Sequence, residues 1–294
     1  MIRFSKYIWL YFLLSSLVLI PGIFSLVRFG LVPSIDFTGG TILEIHFDKA
    51  VSSEQLIMVA QKEKVPLDGV QTSASQTYVL RFKPIEQTTV NLLQKDFTET
   101  IGPNQIVRNE TVGPVLGSEL LRKAVIAAAL AIIAILLYVA YAFRNFKFGV
   151  CAILALAHDL LVVLGSFSLF GHFLGVEVDT LFVTAFLTTM SFSVHDTIII
   201  FDRIREYLKK GQRGSLEELS DVALTETINR SLTNSLTLIF MLLALALMGG
   251  VTVRWFIVAL LIGTVSGTYS SPFVATPLLI LWDRWERKRQ PLIR

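Results

Sequence analysis

The chain has 294 residues, 53% of them hydrophobic and only 17% charged, with a mean hydropathy of +0.63, where soluble globular chains carry about 25% charge. Apolar runs long enough to cross about 30 Å of hydrocarbon exclude a purely soluble domain, and the single cysteine, Cys151, excludes an internal disulfide and any cysteine-built metal site. The net charge of +3 comes from basic residues that flank apolar runs, which points to membrane topology and away from nucleic acid.

In chain order, the first apolar run covers Tyr7 to Val27 behind Arg3 and Lys6. It lacks an Ala-x-Ala type cleavage site before Arg28 and reads as an uncleaved anchor. Between Arg28 and Lys123 long runs give way to alternation. A strand is predicted over Thr41 to Phe47, an amphipathic helix over Ser52 to Lys64 and a weak strand over Asp68 to Ser73. A strand over Thr77 to Lys83, a helix over Ile85 to Thr100 and a strand over Gln105 to Val112 follow. Strand, helix, strand, strand, helix, strand is the split ferredoxin-like plan, and roughly 70 residues can bury a modest core.

Five more runs complete the chain: Ala124 to Phe143, Phe148 to Phe170, Thr180 to Phe201, Ile228 to Met248 and Trp255 to Trp282. Ahead of the fifth span, Ser215 with Glu218 forms a capping box that starts a helix carrying Leu216, Leu219, Val222 and Ala223. That segment reads either as a helix lying along the membrane surface or as a solvated connector. Gly249 and Gly250 mark a turn, Gly263 and Gly267 are spaced for close helix contact, and Pro272 and Pro277 predict a kink.

The predicted fold is therefore an α-helical polytopic membrane protein of six transmembrane helices, with an extracytoplasmic α+β ferredoxin-like domain between the first and second spans. Residues 1–30 make the cytoplasmic tail and first span, 31–120 the outer domain, and 121–294 a five-helix bundle with a cytoplasmic loop at about 202–227 and a cytoplasmic C-terminal tail. Of the Lys and Arg residues in the tails and short loops, 15 fall on the side of the termini and only Arg254 on the other, so both ends are expected in the cytoplasm.

An aspartate at mid-span costs about 2.5 to 3.5 kcal/mol on the insertion scale, so it is kept only with a partner, a water path or a task. The spans hold very few ionisable residues: His158 and Asp159 in the third, His195 and Asp196 in the fourth, and Arg230 at the entry of the fifth. Thr189, Ser193 and Asp196 share one helical stripe, and Thr188, Ser191 and His195 form the adjoining one. On the fifth span Arg230, Asn234 and Thr237 make a matching stripe, which predicts that the two faces meet with Arg230 near Asp196. Such a pair is either a proton relay that opens and closes with the charge on the carboxylate or a static ion pair that fixes helix register. For His158 and Asp159, polar packing or gating is the favoured role, with Thr189, Ser193 and Asn234 in the same polar or gating class. No His-Glu-x-x-His pattern is present, and neither a metal nor a cofactor is expected.

Several segments together resemble the SecD/SecF family of protein-export membrane subunits, on its SecF side: Ser34 to Gly40 (SIDFTGG), Val112 to Leu120 (VGPVLGSEL), Ala157 to Asp159 (AHD), Ser193 to Glu206 (SVHDTIIIFDRIRE) and Thr227 to Ser231 (TINRS). The likeness runs in order along nearly the whole chain. It implies a fold of the resistance-nodulation-division class, paired with a SecD subunit in a twelve-span assembly. It also implies work with the SecYEG channel and the SecA motor, using the proton gradient to help preproteins leave on the outer side of a bacterial inner membrane, with no enzymatic activity. The family's intramembrane aspartate maps to Asp196 and its arginine to Arg230. His195 stands where the family often has Asn, and it either joins the relay or only hydrogen-bonds. A small-molecule or lipid exporter of the same structural class is the alternative function.

Overall fold

The computed structural model describes residues 4–63, 65–74, 76–143 and 145–289. Arg3, Lys64, Arg144 and Arg294, which served above as charge markers or as a helix end, lie outside the described residues. The chain divides into two compact units, Met1–Val32 with Ala127–Arg294, and Pro33–Ile126.

In the smaller unit a short helix, α2 (Ile35–Thr38), precedes β1 (Gly40–Phe47), α3 (Ser53–Lys62), β2 (Leu67–Ala74), β3 (Thr77–Phe82), α4 (Gln87–Thr100) and β4 (Asn104–Val112). From β1 onward each element lies within two residues of its predicted bounds. The strands pair antiparallel in the order β2-β3-β1-β4, with Leu43 opposite Leu80 and Ile45 opposite Tyr78. The period of two in a strand puts Leu43, Ile45 and Phe47 of β1 on the face shared by Leu80 and Phe82 of β3. Leu56 and Val59 of α3 and Leu93 and Phe97 of α4 bury that face. Ser52 starts α3 through a reciprocal capping box with Gln55.

Two glycine-rich turns of this unit touch each other. Ser34 caps α2 by accepting from the Asp36 amide at 3.2 Å, and Gly39 and Gly40 follow with φ of 75° and 144°. A Cβ on Gly39 would lie 2.8 Å from the Pro114 Cα, and one on Gly117 would lie 2.9 Å from the Gly39 nitrogen. Backbone approach at this range leaves no room for a side chain on either turn. The SIDFTGG and VGPVLG segments are thus two halves of one packed junction.

The larger unit is helical. A 3-10 turn over Phe4–Tyr7 leads into α1 (Ile8–Arg28), and α5 (Pro114–Phe143), α6 (Phe146–Leu174), α7 (Thr180–Lys209), α8 (Leu216–Met248), α9 (Val251–Ser270) and α10 (Thr276–Arg289) follow. Among the described residues six stretches are long and apolar enough to cross a membrane, the last of them running through α9 and α10. A π turn over Ser271–Ala275, with Pro272 at its start, joins these two helices where the prolines predicted a kink.

Residues α6, α7 and α9 supply most of the buried surface, while α1, α5 and α8 face largely outward. Helix α1 crosses α6 at Gly22 and Gly165, beside a Ser25–Ser168 hydroxyl contact of 2.8 Å. Helix α7 crosses α9 where Thr189 and Ser193 press on Gly263 and Gly267. The predicted capping box is present, with the Glu218 amide donating to Ser215 and the Ser215 amide to Glu218. It opens α8 directly, however. Leu216, Leu219, Ala223 and Leu224 are buried with Phe4, Ile204 and Tyr207, so this segment packs against the helical unit as the first turns of α8. Asp221, also buried, accepts from the Ser5 amide at 3.0 Å and from its hydroxyl at 2.7 Å. Arg203 bonds Glu206 and Glu226, and Arg284 bonds Glu217, tying the ends of α7, α8 and α10 together.

Candidate functional site

Two polar centres sit inside the helical unit, one around Asp159 and one around Asp196. Asp159, on α6, is 4% exposed. It accepts hydrogen bonds from Ser193 of α7 at 2.5 Å and from Ser266 and Ser270 of α9, each at 2.6 Å. The Nδ1 of its neighbour His158 lies 3.0 Å from the carboxylate. Local geometry explains the convergence. Ser266 and Ser270 are one helical turn apart and share a face, and Gly267 between them lets α7 approach, since a Cβ there would lie 3.0 Å from the Ser193 Cα.

The π turn extends this centre. Ser270 reaches Asp159, whereas Ser271, the next residue, meets the Thr197 hydroxyl of α7 at 2.8 Å. On the other side the His158 ring lies 6.2 Å from the Tyr269 ring, and Tyr269 donates to the Tyr11 carbonyl of α1 at 2.8 Å. One carboxylate therefore gathers four helices: α7 and α9 directly, its own α6, and α1 through His158 and Tyr269.

Asp196 lies on α7, is 8% exposed, and accepts from the Ser231 hydroxyl of α8 at 2.6 Å. An open cleft of about 720 Å³ runs past it, lined by His195 and by Asn229, Arg230, Thr233, Asn234 and Thr237 of α8. A further cavity of about 290 Å³ carries Asp196 and Asn234 inward to Thr264 and Thr268 of α9. His195, Arg230 and Asn234 are exposed on this face of the single chain.

Arg230 and Asp196 line the same cleft, as the two polar stripes predict, but they form no ion pair. Among the described residues no carboxylate stands within salt-bridge distance of Arg230. The reason is angular. Successive helical residues point about 100° apart, so turning the short Ser231 onto Asp196 swings Arg230 out along the cleft. Thr189 packs on Gly263, its hydroxyl donating to the Phe186 carbonyl at 2.9 Å, and takes no part in either centre. Ser193 joins the Asp159 centre and Asn234 the Asp196 cleft.

Sequence reasoning missed Ser231, Ser266 and Ser270. The signal for the last two was present: they recur at i and i+4 in step with Gly263 and Gly267, which marks a face that is both close and polar. The arrangement as a whole offers two buried carboxylates held by hydroxyls, with no lysine or arginine paired to either among the described residues. Asp196, which lines the cleft, can exchange a proton with it without first releasing a bound cation.

Comparison with known proteins matches this architecture. The family described as "Protein export membrane protein SecD/SecF, C-terminal" matches residues 93–285, and the "SecD/SecF GG Motif" matches residues 24–51. A protein translocase subunit SecF from Thermobaculum terrenum is 42% identical, covering 96% of this chain and 94% of the relative. Its counterpart from Anaerolinea thermophila is 37% identical over 95% of this chain and 93% of its own length. The crystal structure of SecDF, a translocon-associated membrane protein from Thermus thermophilus, superposes with a TM-score of 0.85 at 31% identity. That match covers 96% of this chain but 39% of the SecDF chain. The matched segments take in the packed glycine junction and both carboxylate centres, and the chain belongs to the SecD/SecF family.

Proposed function

We propose that this chain is a SecF-type auxiliary subunit of a Sec preprotein translocase that acts with a SecD subunit and draws on the proton-motive force to promote late translocation and release of preproteins. The relatives' names support the translocase assignment. The length of the SecDF chain, of which this one covers 39%, supports a SecD-like remainder as partner. In this reading the protein lies in a bacterial inner membrane with both termini cytoplasmic and the ferredoxin-like Pro33–Ile126 unit outside. SecYEG, SecA and preproteins are its further partners, and it carries out no enzymatic reaction.

The observation that carries the reading is the cleft along α7 and α8. Asp196, His195, Arg230, Asn234 and Thr237 form a polar wall on helices otherwise apolar enough to span a membrane. Polar groups at that depth are kept only where another protein surface or water covers them. A SecD subunit covers the wall and leaves Asp196 in contact with a water-filled path. One elementary charge crossing 100 mV releases about 2.3 kcal/mol, enough to bias two states that differ by a few kcal/mol. Protonation of Asp196 weakens its bond from Ser231 and with it the α7–α8 contact. The Pro33–Ile126 unit, joined through its chain ends to two spans, moves with the bundle and holds or releases the emerging preprotein.

The test is preprotein export into membrane vesicles with and without a membrane potential. Asp196→Asn is expected to export at the potential-independent rate under both conditions. Full potential-dependent export by that variant would overturn the reading.

A further inference from the structure

We propose that Asp159 is a second proton-binding site of this subunit, whose protonation loosens the hold of α6 on α7 and α9. The proposal rests on the proton-driven reading and adds to it a residue that does not face the Asp196 cleft. It starts from the chemistry of the partners. A carboxylate whose task is only to fix helix packing is best served by donors that cannot accept, such as arginine, lysine or backbone amides, because these favour the charged form alone. Asp221 is held in part that way, through the Ser5 amide. Asp159 is not. Its donors are the hydroxyls of Ser193, Ser266 and Ser270 together with the His158 ring.

Every one of these groups can donate or accept. When a proton binds an Asp159 oxygen, that oxygen becomes a donor, and one serine hydroxyl turns to accept it. The other two hydroxyls continue to donate to the remaining oxygen lone pairs. The cage thus serves both charge states, and only the strength of the bonds changes, since hydrogen bonds to an ionised acceptor are roughly twice as strong as neutral ones. No lysine or arginine lies within salt-bridge distance of Asp159 among the described residues. Among the described residues the titratable group in contact with it is His158; Tyr269 faces His158 from α9, Tyr11 of α1 touches Tyr269 through its carbonyl, and Ser193 is the group that α7 presents.

The position of the cage says what its weakening does. Ser270, one of its three hydroxyls, immediately precedes the π turn, and Ser271 within that turn holds Thr197 of α7. A π turn of this kind is a break in regular helix geometry that marks functional sites. Neutralising Asp159 relaxes the tie at Ser270, one residue from the joint between α9 and α10.

The experiment is infrared difference spectroscopy on the full chain reconstituted with its SecD partner, with carbon-isotope-labelled aspartate, as the pH is stepped from acid to alkaline. Two buried aspartic carboxyl signals are expected to titrate, one lost in Asp159→Asn and the other in Asp196→Asn. Ser266→Ala, which removes one hydroxyl from the cage, should displace the Asp159 titration and leave that of Asp196 in place. A titrating signal unchanged by Asp159→Asn would overturn the proposal while leaving the role of Asp196 standing. Loss of the Asp196 signal alone from the expected pair would instead strike the proton-driven reading. If Asp159→Asn fails to accumulate, Ser266→Ala decides: a displaced signal supports the second site, and an undisplaced spectrum overturns it.

Discussion

Replacing Gly165 by alanine should weaken the attachment of the first helix to the bundle, by an amount that follows from the crossing geometry. A Cβ on Gly165 would lie 2.6 Å from the Gly22 Cα and 2.9 Å from its carbonyl carbon, whereas carbon atoms rest at about 3.5 to 4.0 Å. The helices must therefore part by about 1 Å at this point. The Ser25–Ser168 contact, 2.8 Å long, and the bond from Ser168 to the Gly30 carbonyl, 2.7 Å, both span the same crossing and stretch with it. Overpacking costs about 1 to 3 kcal/mol, and each interhelical hydrogen bond in a membrane contributes about 0.6 kcal/mol, so a total near 2 to 4 kcal/mol is expected. The reverse substitution is milder, because a Cβ on Gly22 would lie 3.2 Å from Gly165. Thermal unfolding in mild detergent should rank wild type above Gly22→Ala and Gly22→Ala above Gly165→Ala. A Gly165→Ala midpoint equal to wild type, or the opposite order of the two variants, would refute the reasoning.

Other substitutions probe separate parts of the molecule. Asp221→Ala strands the Ser5 amide in a buried position and should cost about 1 to 3 kcal/mol, seen as faster proteolysis at the N-terminal turn and a lower unfolding midpoint. Arg230→Ala should leave the isolated chain within about 0.5 kcal/mol of wild type, because its side chain is exposed and forms no ion pair among the described residues, yet lower potential-dependent export once the SecD partner is present; a large loss of stability in the isolated chain would contradict the geometry. In the sheet unit a hydrogen bond with Asp96, and then that carboxylate's charge, raise the Glu63 carboxyl above its ordinary value. A raised folded-state value contributes stability at acid pH that is lost as pH rises through it, so Glu63→Gln should flatten the pH dependence of unfolding between acid and neutral pH.

Much of the fold could be read from the chain because its two kinds of segment have different periods. Alternation in TILEIHF and TYVLRFK placed β1 and β3 almost to the residue, and the glycine pair at 249–250 placed the turn between α8 and α9. Helix continuity was less legible. Leu216 to Leu224 carries a charged amphipathic pattern compatible with several settings, and only burial against Phe4 and Tyr207 makes it the first turns of α8. The site divided in the same way. Helical spacing brought His195, Asp196, Arg230 and Asn234 to one cleft, because positions on a face depend on sequence alone. Rotation about the α8 axis, which turns Ser231 to Asp196 and Arg230 away, depends on how closely two helices pack. The cage around Asp159 depends on the crossing of α6, α7 and α9: the spacing of Ser266 and Ser270 marked a polar face but not its partner, because hydroxyls in a helix commonly bond their own backbone.

The most direct test of the central claim is proton flux through the chain reconstituted with its SecD partner in vesicles bearing a pH gradient. The account predicts flux in the wild type that rises while a preprotein is being exported and falls to background in Asp196→Asn. Flux at the wild-type rate in Asp196→Asn, with the protein folded and its partner bound, would contradict it.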